Sequence, residues 1–242
     1  MEWGLYRRRV TVFVGHFGSG KTEIALNAAL DLGASTSSLA LADLDVVKPY
    51  FRSRSARAIL EAAGIELLAP TGANVHADLP IIVPQIRSHL RQDHSRLIMD
   101  VGGDDVGARV LGSLSDVISP ADTDCFLVLN FRRPGTPDPQ KAVTVIREIE
   151  AVGRLPVSGL ISNTHLMDET TPEVVVDGYR LALQTARLAN VPLVAVTVGE
   201  GLVAELDETK FECPVVALRR IVLPPFAQDV VRRTTGPLFV VN

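Results

Sequence analysis

The sequence predicts an α/β fold, a mostly parallel sheet with helices on both faces, and three observations predict it. Strand-like and helix-like segments alternate along the 242 residues, as βαβ crossovers require. Most strand-like segments are continuous runs rich in Val, Ile and Leu, the pattern of strands covered on both faces. A glycine-rich turn joins the first strand to the first helix. With 47% hydrophobic and 21% charged residues, a large core can form. No repeat, low-complexity tract or long linker divides the chain, so residues 1–242 are expected to form a single domain.

Val10-Thr-Val-Phe-Val14 marks the first strand, at 9–14, and the Ala/Leu-rich stretch from Lys21 to Leu30 marks a helix over 20–32. Further strands are expected at 38–43, 65–69, 95–100, 124–130, 157–162 and 192–198. Helices are expected over 51–63, 79–92, 138–152 and 173–189, with a less regular helical pattern over 105–118. Pro70, Pro120, Pro134, Pro137 and Pro139 punctuate the connections. Two apolar runs, Val215–Leu218 and Leu238–Val241, lie on either side of Pro224-Pro225 and are candidate edge strands.

Composition excludes several classes. The net charge of −4 does not suit a general nucleic-acid binder. No apolar run approaches the length of a membrane span, and no signal-like apolar region follows the N-terminal arginines. The two cysteines, Cys125 and Cys213, form no C-x-x-C and read as reduced residues of a cytoplasmic protein. His76, His89, His94 and His165 show no metal-ligand spacing with them.

Residues 15–22 read Gly-His-Phe-Gly-Ser-Gly-Lys-Thr, which is G-x-x-x-x-G-K-[ST] between a strand and a helix. Glycines let such a loop wrap so that successive N–H groups point at phosphate oxygens. Gly15, His16, Gly18, Ser19 and Gly20 thus form a candidate phosphate cradle, and the helix N-terminus favours the anion. Lys21 is placed to reach the β- and γ-phosphates, and Thr22 to put its hydroxyl on Mg²⁺. The pattern predicts a P-loop NTPase that binds a nucleoside triphosphate with Mg²⁺.

Two later strands end in acids: Leu39-Ala-Leu-Ala-Asp43-Leu-Asp45 and Arg96-Leu-Ile-Met-Asp100-Val-Gly-Gly103. Open α/β sheets bind ligands beyond the carboxyl ends of their strands, so both ends should face the loop. Asp100 has the form of a Walker B aspartate that holds Mg²⁺ or its water shell. Gly102 or Gly103 can bring an N–H to the γ-phosphate. Asp45, in preference to Asp43, is the candidate to orient the attacking water or to hold Mg²⁺ through water. Each acid also suits a cap or turn.

Together these motifs resemble the MinD/ParA-like branch of P-loop NTPases, which includes CobQ/CobB-type and dethiobiotin-synthetase-like proteins. The resemblance spans about residues 8–200, and Asp43-Leu-Asp-Val-Val-Lys-Pro-Tyr-Phe-Arg52 looks like that branch's first switch region. It implies that Lys21 and Thr22 contact phosphate and metal, that Asp45 lies near the hydrolytic water, and that Asp100 supports Mg²⁺. Many members carry a second lysine near the start of the loop, which reaches the partner's nucleotide in a face-to-face dimer. His16 stands there in this chain. Neutral imidazole supplies a donor without a permanent charge, so a homodimer is left open.

For the base, guanine readers commonly present Asn-Lys-x-Asp after a strand. The comparable segment here is Asn163-Thr-His-Leu166, without the lysine or the carboxylate. ATP is therefore expected over GTP. Asn163 resembles the adenine-contacting asparagine of MinD-like proteins; Asn130 is a rival, and Thr197–Gly201 are placed to close over the base. Lys48, Arg52, Arg54 and Arg57 suit an anionic substrate or an acidic partner, or simply a solvated helix face. Tyr50 and Phe51 suit either a contact surface that moves with nucleotide or core anchors. The expected function is an Mg²⁺-dependent ATPase that regulates a protein partner, with Lys21 and Asp45 catalytic. The alternatives are phosphoryl transfer to a small molecule, as the resemblance to dethiobiotin synthetase implies, and a nucleotide-gated binding module without turnover.

Overall fold

The computed structural model describes residues 6–36, 38–44, 53–69, 84–92, 94–103 and 105–222, without the side chains of 53–55, 105 and 106. Eight strands form one sheet among the described residues: β1 (Val10–Val14), β2 (Leu39–Leu44), β3 (Glu66–Leu68), β4 (Arg96–Val101), β5 (Thr123–Leu129), β6 (Gly159–Ser162), β7 (Leu193–Gly199) and β8 (Val215–Leu218). Their order is β3-β2-β4-β1-β5-β6-β7-β8, and every pairing is parallel. The connections carry α1 (Lys21–Gly33), α2 (Ser53–Ala62), α3 (residues 84–90), α4 (Asp105–Ser113), α5 (Pro139–Gly153) and α6 (Pro172–Ala189).

Strand periodicity divides the core in two. On β1, Val10, Val12 and Val14 face one layer, shared with Ile86 of α3, Leu111 of α4, Ala142 of α5 and Ala182 of α6. Phe13 faces the other, with Ile24 and Ala28 of α1 and Leu60 of α2. The same alternation on β4 puts Leu97, Met99 and Val101 in the first layer and Ile98 in the second. Asp100, in phase with Ile98, therefore belongs to the α1 face.

Local chemistry sets the element ends. Asp138 caps α5 by accepting from Lys141 N at 2.8 Å, with Pro139 in the first turn, and Arg154 closes it in the left-handed conformation. Asn190 closes α6 the same way. The strand expected from residue 157 begins at Gly159. Before it, the Ser158 hydroxyl accepts from Cys125 N at 2.8 Å, taking a donor that a ladder would use. The helical pattern over 105–118 ends at Ser113 because the chain tightens into turns, Leu114 N donating to Leu111 O and Val117 N to Leu114 O.

Val215–Leu218 does form an edge strand, parallel to β7; residues 238–241 lie outside the described residues. The chain beyond β8 folds back onto α1. The Asn27 side chain donates to Arg219 O at 2.8 Å and accepts from Arg219 N at 2.9 Å. The Glu23 carboxylate accepts from Ile221 N and Val222 N. Among the described residues no helix is long and apolar enough to cross a membrane.

Candidate functional site

β1 lies between β4 and β5, so the loop after it opens at the carboxyl ends of the central strands, where the strand order reverses. Gly20 starts α1 in the left-handed region, φ +93°, with no side chain capping the helix. A Cβ at Gly20 would collide with Asn163 Nδ2. The helix N-terminus thus opens on the loop without a side-chain cap, an arrangement that favours an anion there. A Cβ at Gly103 would strike the Gly15 carbonyl and come within 2.7 Å of His16 Cα. The two glycine-bearing turns therefore meet backbone to backbone, which glycine alone permits.

Lys21 is only 4% exposed, and its ammonium lies 3.4 Å from the His16 carbonyl, curled over the loop it serves. Ser19 is buried, and its hydroxyl meets no hydrogen-bond partner among the described residues. The Thr22 hydroxyl donates to Asp100 Oδ2 at 2.5 Å. Asp43 stands opposite Asp100 in the β2–β4 register and borders the same small cavity as Thr22 and Asp100. These hard oxygen donors fit Mg²⁺, which takes one or two carboxylates and completes its shell with phosphate and water. No cluster of three or more His, Cys, Asp or Glu side chains converges among the described residues.

Asn163 lies against the loop. Its amide donates to Ser19 O at 2.7 Å, and its carbonyl accepts from the Thr197 hydroxyl at 2.9 Å. Asn130, fully buried, approaches from β5 and donates to Gly18 O at 3.3 Å and to His165 O at 3.4 Å. Asn163 and Asn130, rivals in the sequence, thus brace neighbouring peptides of one loop, and Thr197 backs Asn163. Asp45 lies outside the described residues, as do Lys48, Tyr50, Phe51, Arg52 and His76, and nothing is described of the Arg54 side chain.

The His16 ring packs on Gly135: a Cβ there would lie 2.5 Å from Cγ and 2.8 Å from Nδ1. Burial, with Lys141 and Lys21 nearby and Glu148 opposing, holds its pKa below the ordinary value. The ring is therefore neutral at pH 7 and faces its own chain. His165 is pushed down to about 4, first by burial and then by Arg133 and Arg220. Its Nδ1 accepts from Met167 N at 3.3 Å, so the neutral ring carries its proton on Nε2.

A cleft of about 590 Å³ runs from Gly18 and Lys21 past Asn163 to the residues after β7 and β8, a volume suited to a small-molecule ligand. Thr197, Val198, Gly199 and Gly201, from the stretch expected to close over the base, line this cleft. Arg133, Asp168, Glu205 and Arg220 also line it, and sequence reasoning did not single these out. Only Arg133 carried a local signal, the Arg132-Arg133-Pro134-Gly135 turn straight after a strand.

No family model and no curated protein sequence matches the chain. Solved structures do. Cell division protein FtsY from Thermotoga maritima aligns at 20% identity and a TM-score of 0.54, over 80% of this chain and 62% of that one. FtsY from Mycoplasma mycoides aligns at 19% and 0.51, over 81% and 61%. The Signal Recognition Particle 54 kDa protein from Aeropyrum pernix, in complex with GDP, aligns at 16% and 0.51, over 95% and 46%. The chain thus spans about three fifths of these FtsY chains and under half of the 54 kDa protein. The cradle, the all-parallel sheet and these neighbours together assign the P-loop NTPase α/β fold.

Proposed function

We propose that the chain is an Mg²⁺-dependent ATPase that regulates a protein partner through its nucleotide state. One observation carries the reading: the buried Lys21 and the Thr22–Asp100 pair lie at adjoining positions of one loop that opens into a ligand-sized cleft. In this reading the loop amides and Lys21 hold the phosphate chain and meet the charge that develops on the terminal phosphoryl group. Thr22 and Asp100 hold Mg²⁺, which when bound neutralises phosphate charge. Asp45 positions the attacking water, and Gly103 brings backbone close to the loop. The Asp43–Arg52 stretch supports membership of the MinD/ParA branch and a partner-facing switch. Two free cysteines support a cytoplasmic setting.

The choice of ATP rests on Leu166, which occupies the position of the guanine-reading carboxylate and is 40% exposed. The GDP in the 54 kDa neighbour makes GTP the alternative to test. Isothermal titration of both nucleotides in millimolar Mg²⁺ decides it; tighter GTP binding overturns the base assignment. Phosphate release without an acceptor supports the ATPase reading. Release only with a small acid or amine favours phosphoryl transfer, and binding without turnover favours a gated module. Lys21→Ala is expected to lower turnover by about a hundredfold or more; wild-type turnover in that variant rejects the site.

A further inference from the structure

The loop after β5 brings an arginine to the cradle. Arg133 N donates to Asn130 O at 3.2 Å and Thr136 N to Arg133 O at 3.1 Å, forming consecutive turns. The Thr136 hydroxyl closes them on Asn130 O at 3.0 Å. Asn130 in turn donates to Gly18 O, so the loop is stapled to the P-loop itself. The Arg133 side chain lies along Gly18: a Cβ at that glycine would sit 3.1 Å from Nε, 3.3 Å from Cδ and 3.7 Å from Cγ. Arg133 Nε is buried and meets no hydrogen-bond acceptor among the described residues. No carboxylate among those residues forms an ion pair with this guanidinium, whereas its neighbour Arg132 pairs with Asp177 at 3.5 Å. A cation aligned on a phosphate-binding loop, facing the cleft and holding buried donor capacity in reserve, is poised for an anion.

We propose that Arg133 is a second phosphate-binding cation of this site, supplied by the same chain, whose guanidinium bonds the phosphate chain of the bound nucleotide beside Lys21. This rests on the nucleotide reading above. The local field agrees: Arg133 is the first charged group acting to keep His165 unprotonated, and a bound polyphosphate would offset that field. Guanidinium suits the task because its planar fork of donors matches phosphate oxygens.

The test uses the full chain, calorimetry with Mg-ATP, Mg-GTP and inorganic triphosphate, and steady-state phosphate release. Arg133→Met keeps most of the aliphatic stem against Gly18 and removes the charge. It is expected to weaken ATP and inorganic triphosphate by about ten- to a hundredfold, with KM rising more than kcat falls and the melting temperature unchanged. Arg133→Lys, a point charge, should recover part of that loss. Binding by the methionine variant within twofold of wild type overturns the assignment and leaves the nucleotide reading standing. So does loss of the nucleotides with triphosphate unaffected, which assigns Arg133 to the base. Should the methionine variant melt early, the lysine variant decides: an equal affinity loss in a stably folded lysine variant means packing, not charge, and overturns the proposal. Wild-type protein that is folded yet binds none of the three probes removes the nucleotide reading and this one together.

Discussion

The two ends of the cleft are built differently. At the loop end, polar side chains are buried and spent on backbone or on each other: Asn163 on Ser19 O, Asn130 on Gly18 O, and Thr197 on the Asn163 side chain. At the far end, charge pairs lie in solvent, with Asp168 86% exposed where it meets Arg220 at 2.8 Å. Buried bonds of the first kind hold a single geometry because breaking one strands an unsatisfied group. Exposed pairs of the second kind contribute little and rearrange easily. The loop end of the cleft is therefore fixed in advance by the fold, while its far end is free to adapt; under the proposed reading these are the phosphate and the base ends.

Three experiments press on that contrast. The largest effect is expected from Asn163→Ala, which strands Ser19 O and leaves the Thr197 hydroxyl only the long 3.4 Å contact to Ser162 O. A loss of about 2–4 kcal/mol in denaturant stability is expected, with ATP and GTP weakened alike. An unchanged midpoint with an altered ATP:GTP ratio would instead make Asn163 a reader of the base. Acid comes next. His165 titrates at about 4 in the folded chain, below its ordinary 6.5, so the unfolded state binds the proton more readily between those values. Its contribution is complete above pH 6.5 and is lost as pH falls toward 4, up to about 3 kcal/mol at 1.36 kcal/mol per pKa unit. Urea melts at pH 7.5 and 4.5 should show that slope in wild type, and His165→Gln should flatten it relative to wild type. The smallest effect is expected from Asp168→Ala, less than about 1 kcal/mol in stability because the Arg220 pair is exposed. A larger loss in thermal melts would mean that the far end is as tightly fixed as the cradle.

What could be read from the sequence followed how local its cause was. The glycines at 15, 18 and 20 announced themselves because backbone sterics demand them at fixed spacing, whatever the rest of the chain does. Asp100 was legible because an acid ending an apolar strand is itself a pattern, and the α1 face it occupies follows from alternation along β4. Thr197 and Asn163 lie 34 residues apart, and Asn163 and Ser19 lie 144 apart. Only the sheet order brings them together, so a bracing role for Asn163 had no sequence signal distinct from a contact to the base. For Arg133 the sequence signalled only the turn after a strand: an arginine there reads as solvated until the fold sets it along Gly18. Element ends moved where side chains intervened, as Ser158 shows by taking the Cys125 amide.

Helix α1 joins the centre of the described sheet to its β8 edge. Its first residue, Lys21, curls over the glycine-rich loop, while Glu23 in the same first turn and Asn27 one turn beyond it grip the backbone at Arg219, Ile221 and Val222. Asn27 acts on Arg219 as a neighbouring strand would, offering one donor and one acceptor to a single peptide edge. Because Arg219, Arg220 and Val222 also wall the cleft, peeling away the outermost strand and uncovering the ligand chamber are one physical event. Amide hydrogens at Ile221 and in the first turns of α1 belong, on that account, to a common cooperative unit.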